Sequence, residues 1–291
     1  MKVTKAVIPA AGLGTRVLPA TKAIPKEMLP IVDKPSIQYI VEEAVAAGIT
    51  DILIITNRGK VAMEDHFDRS PELEERLLAG NKTALYNSVL ETSKMANIYF
   101  IRQKETKGLG HAIGCARGFV GNEPFAVLYG DDVIAGGKKP AIGELCEAYE
   151  KYGKGVAGIK EVDRESIKKY CSLAVSPLED RTFAISDMVE KPSDEQIMSL
   201  YAILGRCVLT PEIFEILDKT PPGAGGEIQL TDAMRVLAQR YGMVGYEFTG
   251  KRYDIGNKLG YLEAIVELGV KHPELGSDFS NYLKSFIKNL S

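Results

Sequence analysis

AAGLGTR, residues 10–16, follows a short apolar run near the start of the chain and governs the interpretation of the sequence behind it. Two glycines after a strand-like run, followed closely by a basic residue, are typical of a loop that binds phosphate. Such loops use glycine because backbone N–H groups can approach the ligand only where side chains stay out of the way. Several unrelated folds contain loops of this kind, so the surrounding sequence must distinguish between them.

The glycine spacing excludes the most familiar nucleotide-binding loops. A dinucleotide fold would carry G-x-G-x-x-G, but Val17 stands where the third glycine belongs. The acidic ribose ligand is also missing, because Asn57 and Arg58 follow the next strand-like run, residues 52–56. No G-x-x-x-x-G-K-[ST] sequence occurs, which excludes a P-loop, and neither GxSxG nor HExxH is present.

Three cations follow the glycines on one short segment. Arg16, Lys22 and Lys26 lie on it, and Pro19 and Pro25 prevent a regular helix there and stiffen the backbone. Three cations on a stiffened loop after the first strand indicate a polyphosphate site. Solvated surface charge is an alternative explanation for Lys22 taken alone, since most lysines are exposed, and is a weaker one for Arg16 and Lys26 together.

The composition is that of a soluble globular protein. Of 291 residues, 45% are hydrophobic and 26% charged, and the net charge of −3 includes no basic tract, which disfavours a nucleic-acid or anionic-membrane partner. The longest apolar runs are strand-length and the N-terminal run is too short for a signal sequence, so we expect a cytoplasmic protein. The cysteines lack CxxC spacing and the histidines are scattered, which predicts free, mostly buried thiols and no zinc site.

The first half alternates between strand-like and helical periodicity. The strand-like runs are short and apolar, at residues 3–8, 52–56, 98–102 and 125–129. Helical patterns lie between them: a stripe at 37–45 that ends at Gly48, two or three charged helices within 60–95, and a helix over 109–119. This alternation predicts an α/β fold with a Rossmann-like doubly wound sheet, whose ligands bind beyond the carboxyl ends of the strands.

The order of strand-like and helical patterns changes after Gly155. Strand-like runs follow one another at 156–162, 172–175, 183–189 and 201–209, which predicts a mixed sheet with an added small antiparallel β portion. Helices are predicted at 228–240, 259–268 and 278–290. No linker or repeat interrupts the chain, so we expect one domain built on one sheet.

From position 10 onward the chain closely resembles a known family. AAGLGTRVLPATKAIPKEMLP (10–30) is similar to the signature of the sugar-1-phosphate nucleotidyltransferases, and in particular of their bacterial uridylyl-transferring members. Further blocks follow in the family's order: Arg102-Gln103, KGLGHAI (107–113), YGDD (129–132), VEKP (189–192), GGEIQLTD (225–232) and YDIGN (253–257). One block would be weak evidence, whereas this many in order are specific.

The resemblance implies a nucleotide-diphospho-sugar transferase fold and an activity. UTP and glucose 1-phosphate would give UDP-glucose and pyrophosphate by Mg²⁺-assisted, in-line attack of the sugar phosphate on the α-phosphorus. A phosphate monoester is already a nucleophile, so no covalent enzyme intermediate is needed. The single domain, 1–291, would be mainly nucleotide-binding over 1–154 and mainly sugar-phosphate-binding over 155–257, with C-terminal helices over 258–291.

For the nucleotide, the resemblance implies contacts from Ala10, Ala11, Gly12, Gly14, Thr15, Glu27, Gln103 and Gly108. Gln103 and loop backbone would read uracil, because the base edge presents both a donor and acceptors. Glu27 stands where related thymidylyl enzymes carry Gln, and would fix the base or the ribose. His111 either contacts the nucleotide or packs and caps the turn.

The resemblance assigns catalysis to Arg16, Lys26, Asp131 and Lys191. Asp131 would bind Mg²⁺ with Asp254 as the second ligand, since Mg²⁺ takes one or two carboxylates plus phosphates and water. Adjacent carboxylates on a strand point in opposite directions, so Asp132 would orient the site or the sugar instead.

For the sugar phosphate, the resemblance implies Asp132, Glu190, Lys191, Gly205 and Glu227. The two glutamates would accept hydrogen bonds from sugar hydroxyls, Gly205 would allow close approach of the ring, and Lys191 would reach the phosphate. The GGE sequence also puts Glu227 at the predicted start of a helix, where it could merely stabilise the helix end. Both interpretations of Glu227 stay open.

Two alternative functions stay open. One is the same chemistry with dTTP, ATP or another hexose 1-phosphate, although the acid at position 27, the GLGHAI block and the helical insertion favour uridylyl transfer. The other is a silent paralogue that binds a nucleotide sugar, although every expected charge is present. The family forms dimers and tetramers, and the apolar face of the last helix either packs on its own subunit or forms an oligomer contact. That face comprises Phe279, Tyr282, Leu283, Phe286 and Ile287.

Overall fold

The computed structural model describes residues 1–289 as helices packed around one nine-stranded mixed sheet and two small two-stranded sheets. The strands are β1 Lys5–Pro9, β2 Pro30–Ile31, β3 Lys34–Pro35, β4 Asp51–Thr56, β5 Asn97–Arg102, β6 Phe125–Leu128, β7 Asp132–Ala135, β8 Gly155–Glu161, β9 Cys171–Glu179, β10 Thr182–Glu190, β11 Tyr201–Leu209, β12 Met243–Glu247 and β13 Lys251–Asp254. The helices are α1 Ser36–Ala46, α2 Val61–Phe67, α3 Pro71–Ala79, α4 Thr83–Thr92, α5 Leu109–Gly114, α6 Arg117–Val120, α7 Ala141–Tyr152, α8 Arg164–Ile167, α9 Glu212–Leu217, α10 Leu230–Tyr241, α11 Lys258–Val270 and α12 Gly276–Lys288.

The first four strands of the large sheet confirm the predicted doubly wound order. They run parallel as β5-β4-β1-β6, so the chain moves outward from β1 to β4 and β5 and then returns to the other side of β1. The direction of winding therefore reverses between β1 and β6. Ligands of open α/β sheets bind beyond the carboxyl ends of the strands at this reversal.

The second half of the sheet is mixed, as predicted. Strand β11 runs antiparallel to both β6 and β8, and the order continues through β12, β10 and β9. The added antiparallel portion comprises the β9–β10 hairpin and a separate pair, β7–β13, in which Asp132 lies opposite Asp254. This pair brings the YDIGN block beside the YGDD block.

Several element boundaries differ from the prediction. The helix predicted over 109–119 is two short helices, α5 and α6, and the one predicted from 228 begins at Leu230. The last helix ends at Lys288, so Leu290, its predicted end, lies outside the described residues. Helices α7, α8 and α9 and strands β2, β3, β7, β12 and β13 were not predicted. Within residues 1–289, no helix has the length and apolar character needed to cross a membrane.

The core lies on both faces of the sheet because alternate strand residues point in opposite directions. In β1, Ala6 and Ile8 pack with helices α1 and α7, whereas Val7 packs with α5, α9 and α10. All four residues of β6 are buried, which matches a central strand covered on both faces. Three of the four free cysteines are buried, in line with the prediction; the fourth, Cys115, is half-buried.

A charged pair lies inside this core. Arg206 on β11 is fully buried, and its guanidinium donates to Glu43 on α1 at 3.0 Å from Nε and 2.7 Å from Nη2. It also donates to the carbonyl oxygens of Gly205, at 2.9 Å, and Asp132, at 2.7 Å. A buried charge is tolerated only when it is paired and hydrogen-bonded, and these contacts supply both conditions.

We expect Arg206→Met to lower the free energy of unfolding by about 3–5 kcal/mol, because it leaves the Glu43 carboxylate buried without its cation. The control is Arg235→Met, which removes an equally bidentate but surface-exposed contact with Asp187 and should cost less than about 1 kcal/mol. Urea unfolding of the two variants measures the difference. Equal losses would contradict the structural importance of the buried pair.

Candidate active site

An open cleft of about 420 Å³ lies at the carboxyl ends of β1 and β6, where the sheet winding reverses. Its lining comes from the glycine loop, the segment after β5, the turn after β6 and the segment before α10. These residues are Pro9, Ala11, Gly12, Leu13, Thr15, Lys26, Gln103, Thr106, Gly108, Leu109, Ala112, Tyr129, Asp131 and Glu227. Five of the eight predicted nucleotide contacts are therefore in this lining, and Ala10 and Gly14 lie between lining residues of the same loop.

The glycine loop leads into three short 3₁₀ turns, Thr15–Val17, Ala20–Lys22 and Lys26–Met28, rather than into a regular helix. The Thr21 hydroxyl donates to the Gly14 carbonyl at 2.7 Å and closes this segment on itself. The turns bring Lys26 into the cleft, whereas Lys22 is exposed and absent from the lining. Of the two lysines on the segment predicted to bind polyphosphate, only Lys26 lies in the cleft lining.

Two cations and two carboxylates meet beside the glycine loop at the edge of the cleft. Lys26 Nζ lies 2.5 Å from Asp131 Oδ2, and Arg16 lies 3.7 Å from both Asp131 and Asp254. Burial would raise the pKa of Asp131, but the charges of Lys26 and Arg16 hold it below its usual value. Burial would likewise lower the pKa of Lys26, and Asp131 instead raises it. Both groups therefore stay ionised near neutral pH.

Gly256 leaves open the point where the two carboxylates converge. A Cβ atom on this residue would lie 2.6 Å from Asp131 Oδ2, 2.9 Å from Asp254 Oδ1 and 2.7 Å from Arg16 Nη2. Two hard oxygen ligands around an open point fit Mg²⁺, which takes its remaining ligands from phosphates and water. Within the described residues there is no group of three or more metal-ligating side chains, so a cation here would depend on its nucleotide.

Asp132 points away from Asp131, as expected for adjacent residues entering a strand. It is buried, and its carboxylate accepts from Arg252 at 2.8 Å (Nε) and 2.6 Å (Nη2). A Cβ on Gly205, which has a φ of 71°, would lie 2.2 Å from Asp132 Oδ2. The missing side chain of Gly205 thus makes room for Asp132, and the cleft lining includes neither residue.

Elsewhere in the cleft lining, the Gln103 side chain has a fixed orientation. Its Nε2 donates to the Gly108 carbonyl at 3.1 Å and lies 2.9 Å from His111 Nδ1. The Gly108 carbonyl oxygen can only accept a hydrogen bond. Rotating the Gln103 amide by 180° would therefore place Oε1 of Gln103 against that oxygen. Both hydrogens of Nε2 are used, which leaves Oε1 to accept from a ligand. His111 therefore contacts Gln103 and is not part of the lining.

Glu27 lies beneath the glycine loop rather than in the cleft. It is 1% exposed and its Oε2 accepts from Lys60 at 2.8 Å, while Lys60 also donates to the Ala10 carbonyl at 2.6 Å. Burial raises the pKa of Glu27 and lowers that of Lys60, against the attraction between the two charges. Sequence reasoning did not single out Lys60, which looks like a solvated turn residue.

The predicted sugar-phosphate residues are divided between the cleft and its surroundings. Glu190 accepts from the Thr231 hydroxyl at 2.9 Å, and burial raises its pKa. Lys191 is exposed and has a φ of 46°, a left-handed conformation that is strained for a residue with a side chain and often marks functional sites. Of the predicted set, only Glu227 lines the cleft, where it packs against Gly108.

Glu227 does not open a helix. It has an extended backbone, with φ −99° and ψ 148°, and α10 begins three residues later with Gln229 as the residue before it. The expectation that Glu227 sits at the helix terminus is therefore wrong. The glycines before it turn the chain away instead of starting the helix. Stabilisation of the start of α10 by Glu227 therefore has no geometric basis.

Comparisons with known proteins agree with this fold. Residues 5–269 match the family described as "Nucleotidyl transferase". The chain is 50% identical over 286 residues to the UTP–glucose-1-phosphate uridylyltransferase of Bacillus subtilis strain 168, covering 98% of each chain. It is similar in structure to a UDP-glucose pyrophosphorylase complexed with UDP-glucose, with 45% identity and a TM-score of 0.85 over 93% of this chain and all of that one. A UTP-bound UGPase from Acinetobacter baumannii is 37% identical, with a TM-score of 0.89 over 97% of this chain and 98% of that one.

We expect Gly256→Ala to weaken Mg²⁺-dependent binding of UTP about tenfold while leaving the melting temperature within a few degrees. The new methyl group would displace the Asp131 and Asp254 oxygens, and the loss of one charged contact is worth about that much. The control is Gly118→Ala, because a Cβ there meets nothing within 4 Å. Calorimetric titration of both variants with UTP and Mg²⁺ measures the effect. Equal affinities would show that the two carboxylates do not bind the cation together.

Proposed function

Because the chain belongs to the nucleotidyl transferase family, we propose that it transfers a uridylyl group from UTP to glucose 1-phosphate, giving UDP-glucose and pyrophosphate. Relatives that are 50% identical over nearly the whole chain are uridylyltransferases of this specificity, and one similar structure holds UDP-glucose. The observation that carries the proposal is the cluster of Lys26, Arg16, Asp131 and Asp254 beside the glycine loop at the edge of the cleft.

The chemistry is a single in-line displacement. A phosphate oxygen of glucose 1-phosphate forms a bond to the α-phosphorus of UTP, and the bond from that phosphorus to the oxygen bridging the β-phosphate breaks. The leaving group departs as pyrophosphate with its electron pair. Such a reaction needs alignment and charge neutralisation more than a protein nucleophile.

The charged residues divide this work. Lys26 and Arg16 neutralise the triphosphate and the departing pyrophosphate from the loop side. Lys191 offsets the repulsion between the two anionic substrates from the sugar side, while Glu190 and Glu227 accept hydrogen bonds from glucose hydroxyls. Asp132 keeps the turn after β6 in place through Arg252 rather than contacting the sugar.

Asp131 and Asp254 are the residues that would hold Mg²⁺, since their oxygens surround the open point at Gly256. The ion would neutralise charge on the phosphate oxygens. Lys26 lies 2.5 Å from the same Asp131 oxygen and keeps that carboxylate ionised and oriented toward the triphosphate.

Gln103 identifies the base. Its Oε1 faces the ligand because Gly108 and His111 use both hydrogens of Nε2. Uracil presents an N3–H donor to such an acceptor, whereas cytosine presents a lone pair at N3. This arrangement favours uracil or thymine over cytosine.

The protein acts in the cytoplasm as a homodimer or homotetramer. The exposed face of α12, with Tyr282, Phe286 and Ile287, supports self-association because it continues an apolar groove between α11 and α12. Phe279 lies in that groove and Leu283 is partly exposed, so the predicted face is only partly covered by its own subunit. No nucleic-acid or membrane partner is proposed.

The direct test is pyrophosphate release from UTP, CTP, ATP, GTP and dTTP with glucose 1-phosphate, and from UTP with other hexose 1-phosphates, in the presence of Mg²⁺. We expect UTP with glucose 1-phosphate to be the best pair. Asp131→Asn should lower its kcat at least a hundredfold, because each 1.36 kcal/mol of lost transition-state stabilisation costs about tenfold. A better nucleotide, a better sugar, or no release from any pair would contradict the proposal.

We expect Gln103→Leu to lower kcat/KM for UTP about tenfold to a hundredfold and to leave the rate with CTP unchanged or higher. The variant removes the side-chain acceptor proposed for N3–H but preserves side-chain volume, and one such hydrogen bond is worth about that much. The ratio of the two rates is the measurement, with CTP as the internal control. A parallel fall for both nucleotides would show that Gln103 shapes the cleft without reading the base.

A further inference from the structure

The turn after β4 contacts the glycine loop from behind. This turn, residues 57–60, has the sequence NRGK and stands where a dinucleotide fold would carry its acidic ribose ligand. Asn57 Nδ2 donates to the Ala11 carbonyl, and Lys60 Nζ donates to the Ala10 carbonyl at 2.6 Å. Two consecutive carbonyls of the loop thus have side-chain donors on the side away from the ligand.

These two contacts also determine the direction of two N–H groups of the loop, because each peptide group is planar. In a trans peptide the C=O and N–H bonds point in opposite directions. Fixing the Ala10 carbonyl therefore fixes the N–H of Ala11, and fixing the Ala11 carbonyl fixes the N–H of Gly12. Both of these residues line the cleft, and within residues 1–289 neither N–H has a protein acceptor. Successive N–H groups that point the same way make a site for oxygen acceptors.

Resting on the proposed function, we propose that Asn57 and Lys60 are positioning residues: they hold the Ala10 and Ala11 carbonyls away from the cleft so that the Ala11 and Gly12 N–H groups meet acceptor oxygens of the nucleotide. Neither side chain touches the substrate. Their effect on the reaction passes entirely through the loop backbone.

The burial of Lys60 supports this role. The residue is only 7% exposed, although a lysine loses much hydration free energy when it is buried. Glu27 balances its charge, but a pair that served stability alone could be replaced by apolar residues. What an apolar pair could not supply is the hydrogen bond to the Ala10 carbonyl.

The test separates this role from stability by means of three variants. Asn57→Ala removes one donor and buries no new charge. Lys60→Met combined with Glu27→Gln removes the other donor together with the charge that a single substitution would leave unpaired. Arg58→Met is the control, because Arg58 is an exposed cation of the same turn.

We expect Asn57→Ala and the double variant each to raise the Kd of UTP by about tenfold, whereas Arg58→Met changes it less than twofold. The KM of glucose 1-phosphate should stay within twofold in all three, since the loop faces the nucleotide. Titrations with UMP and with inorganic pyrophosphate then locate the acceptor. Weaker UMP binding places the N–H groups on the uridine or the α-phosphate, and weaker pyrophosphate binding places them on the β- and γ-phosphates.

The inference is overturned if both loop variants bind UTP, UMP and pyrophosphate as the unmodified protein does. It is also overturned if affinity for nucleotide and for glucose 1-phosphate falls equally, because that pattern indicates a general loss of structure. If the substrate panel identifies a different nucleotide, the proposed function fails separately, and the same variants are titrated with that nucleotide and its pyrophosphate.

Discussion

The buried ion pair between Arg206 and Glu43 is the constraint on which the cleft depends. One guanidinium joins α1, the central strand β11 and the turn after β6, because it contacts the Glu43 carboxylate and the carbonyls of Gly205 and Asp132. The Glu43 carboxylate also accepts from the backbone N–H of Ile142 at the start of α7, at 2.9 Å. Asp131 precedes Asp132 in the chain, so the position of the proposed metal ligand follows from a charge that no ligand can reach.

The charged residues around the cleft form two layers with different roles. In the rear layer, Lys60 pairs with Glu27 and Arg252 pairs with Asp132, and both carboxylates are buried. The front layer is partly exposed and comprises Arg16, Lys26, Asp131 and Asp254. Desolvation has already been compensated in the rear layer, so its members gain little by meeting a ligand. The charged groups of the front layer can still make further contacts with phosphate and with a cation.

Periodicity and turn residues were sufficient to predict the sheet order of the first half and the mixed character of the second. Strand β6 was evident because four successive buried residues leave a strong apolar signal. Strands β7 and β13 gave no such signal, since β7 begins and β13 ends on an aspartate, which interrupts an apolar run. Their pairing is tertiary and has no local pattern. The start of α10 was misplaced for a similar reason, because Ile228 continues the helical stripe while its backbone hydrogen bonds go to Lys107 and Gly110 instead.

Family resemblance predicted which charged residues belong to the site but could not tell the front layer from the rear. Asp131 and Asp132 are identical in type and adjacent, and only the fold shows that one faces Lys26 while the other faces Arg252. Glu27 was assigned to the nucleotide, yet burial against Lys60 removes it from the surface. Whether a polar side chain is available depends on what covers it, and that is a property of chain segments distant in sequence.

The central place of β11 has a consequence for biosynthesis. Strands β5, β4, β1 and β6 are all complete once residue 128 has been made, but the free edge of β6 stays unpaired until residues 201–209 arrive. In a nascent chain that ends before residue 209, the backbone groups of Phe125 to Leu128 on that edge lack their strand partner, and unpaired edges of apolar strands are sites of aggregation. Pairing of β11 with β6 closes the edge and places Arg206 against Glu43. We therefore expect chains that end before residue 209 to aggregate more readily than the full chain.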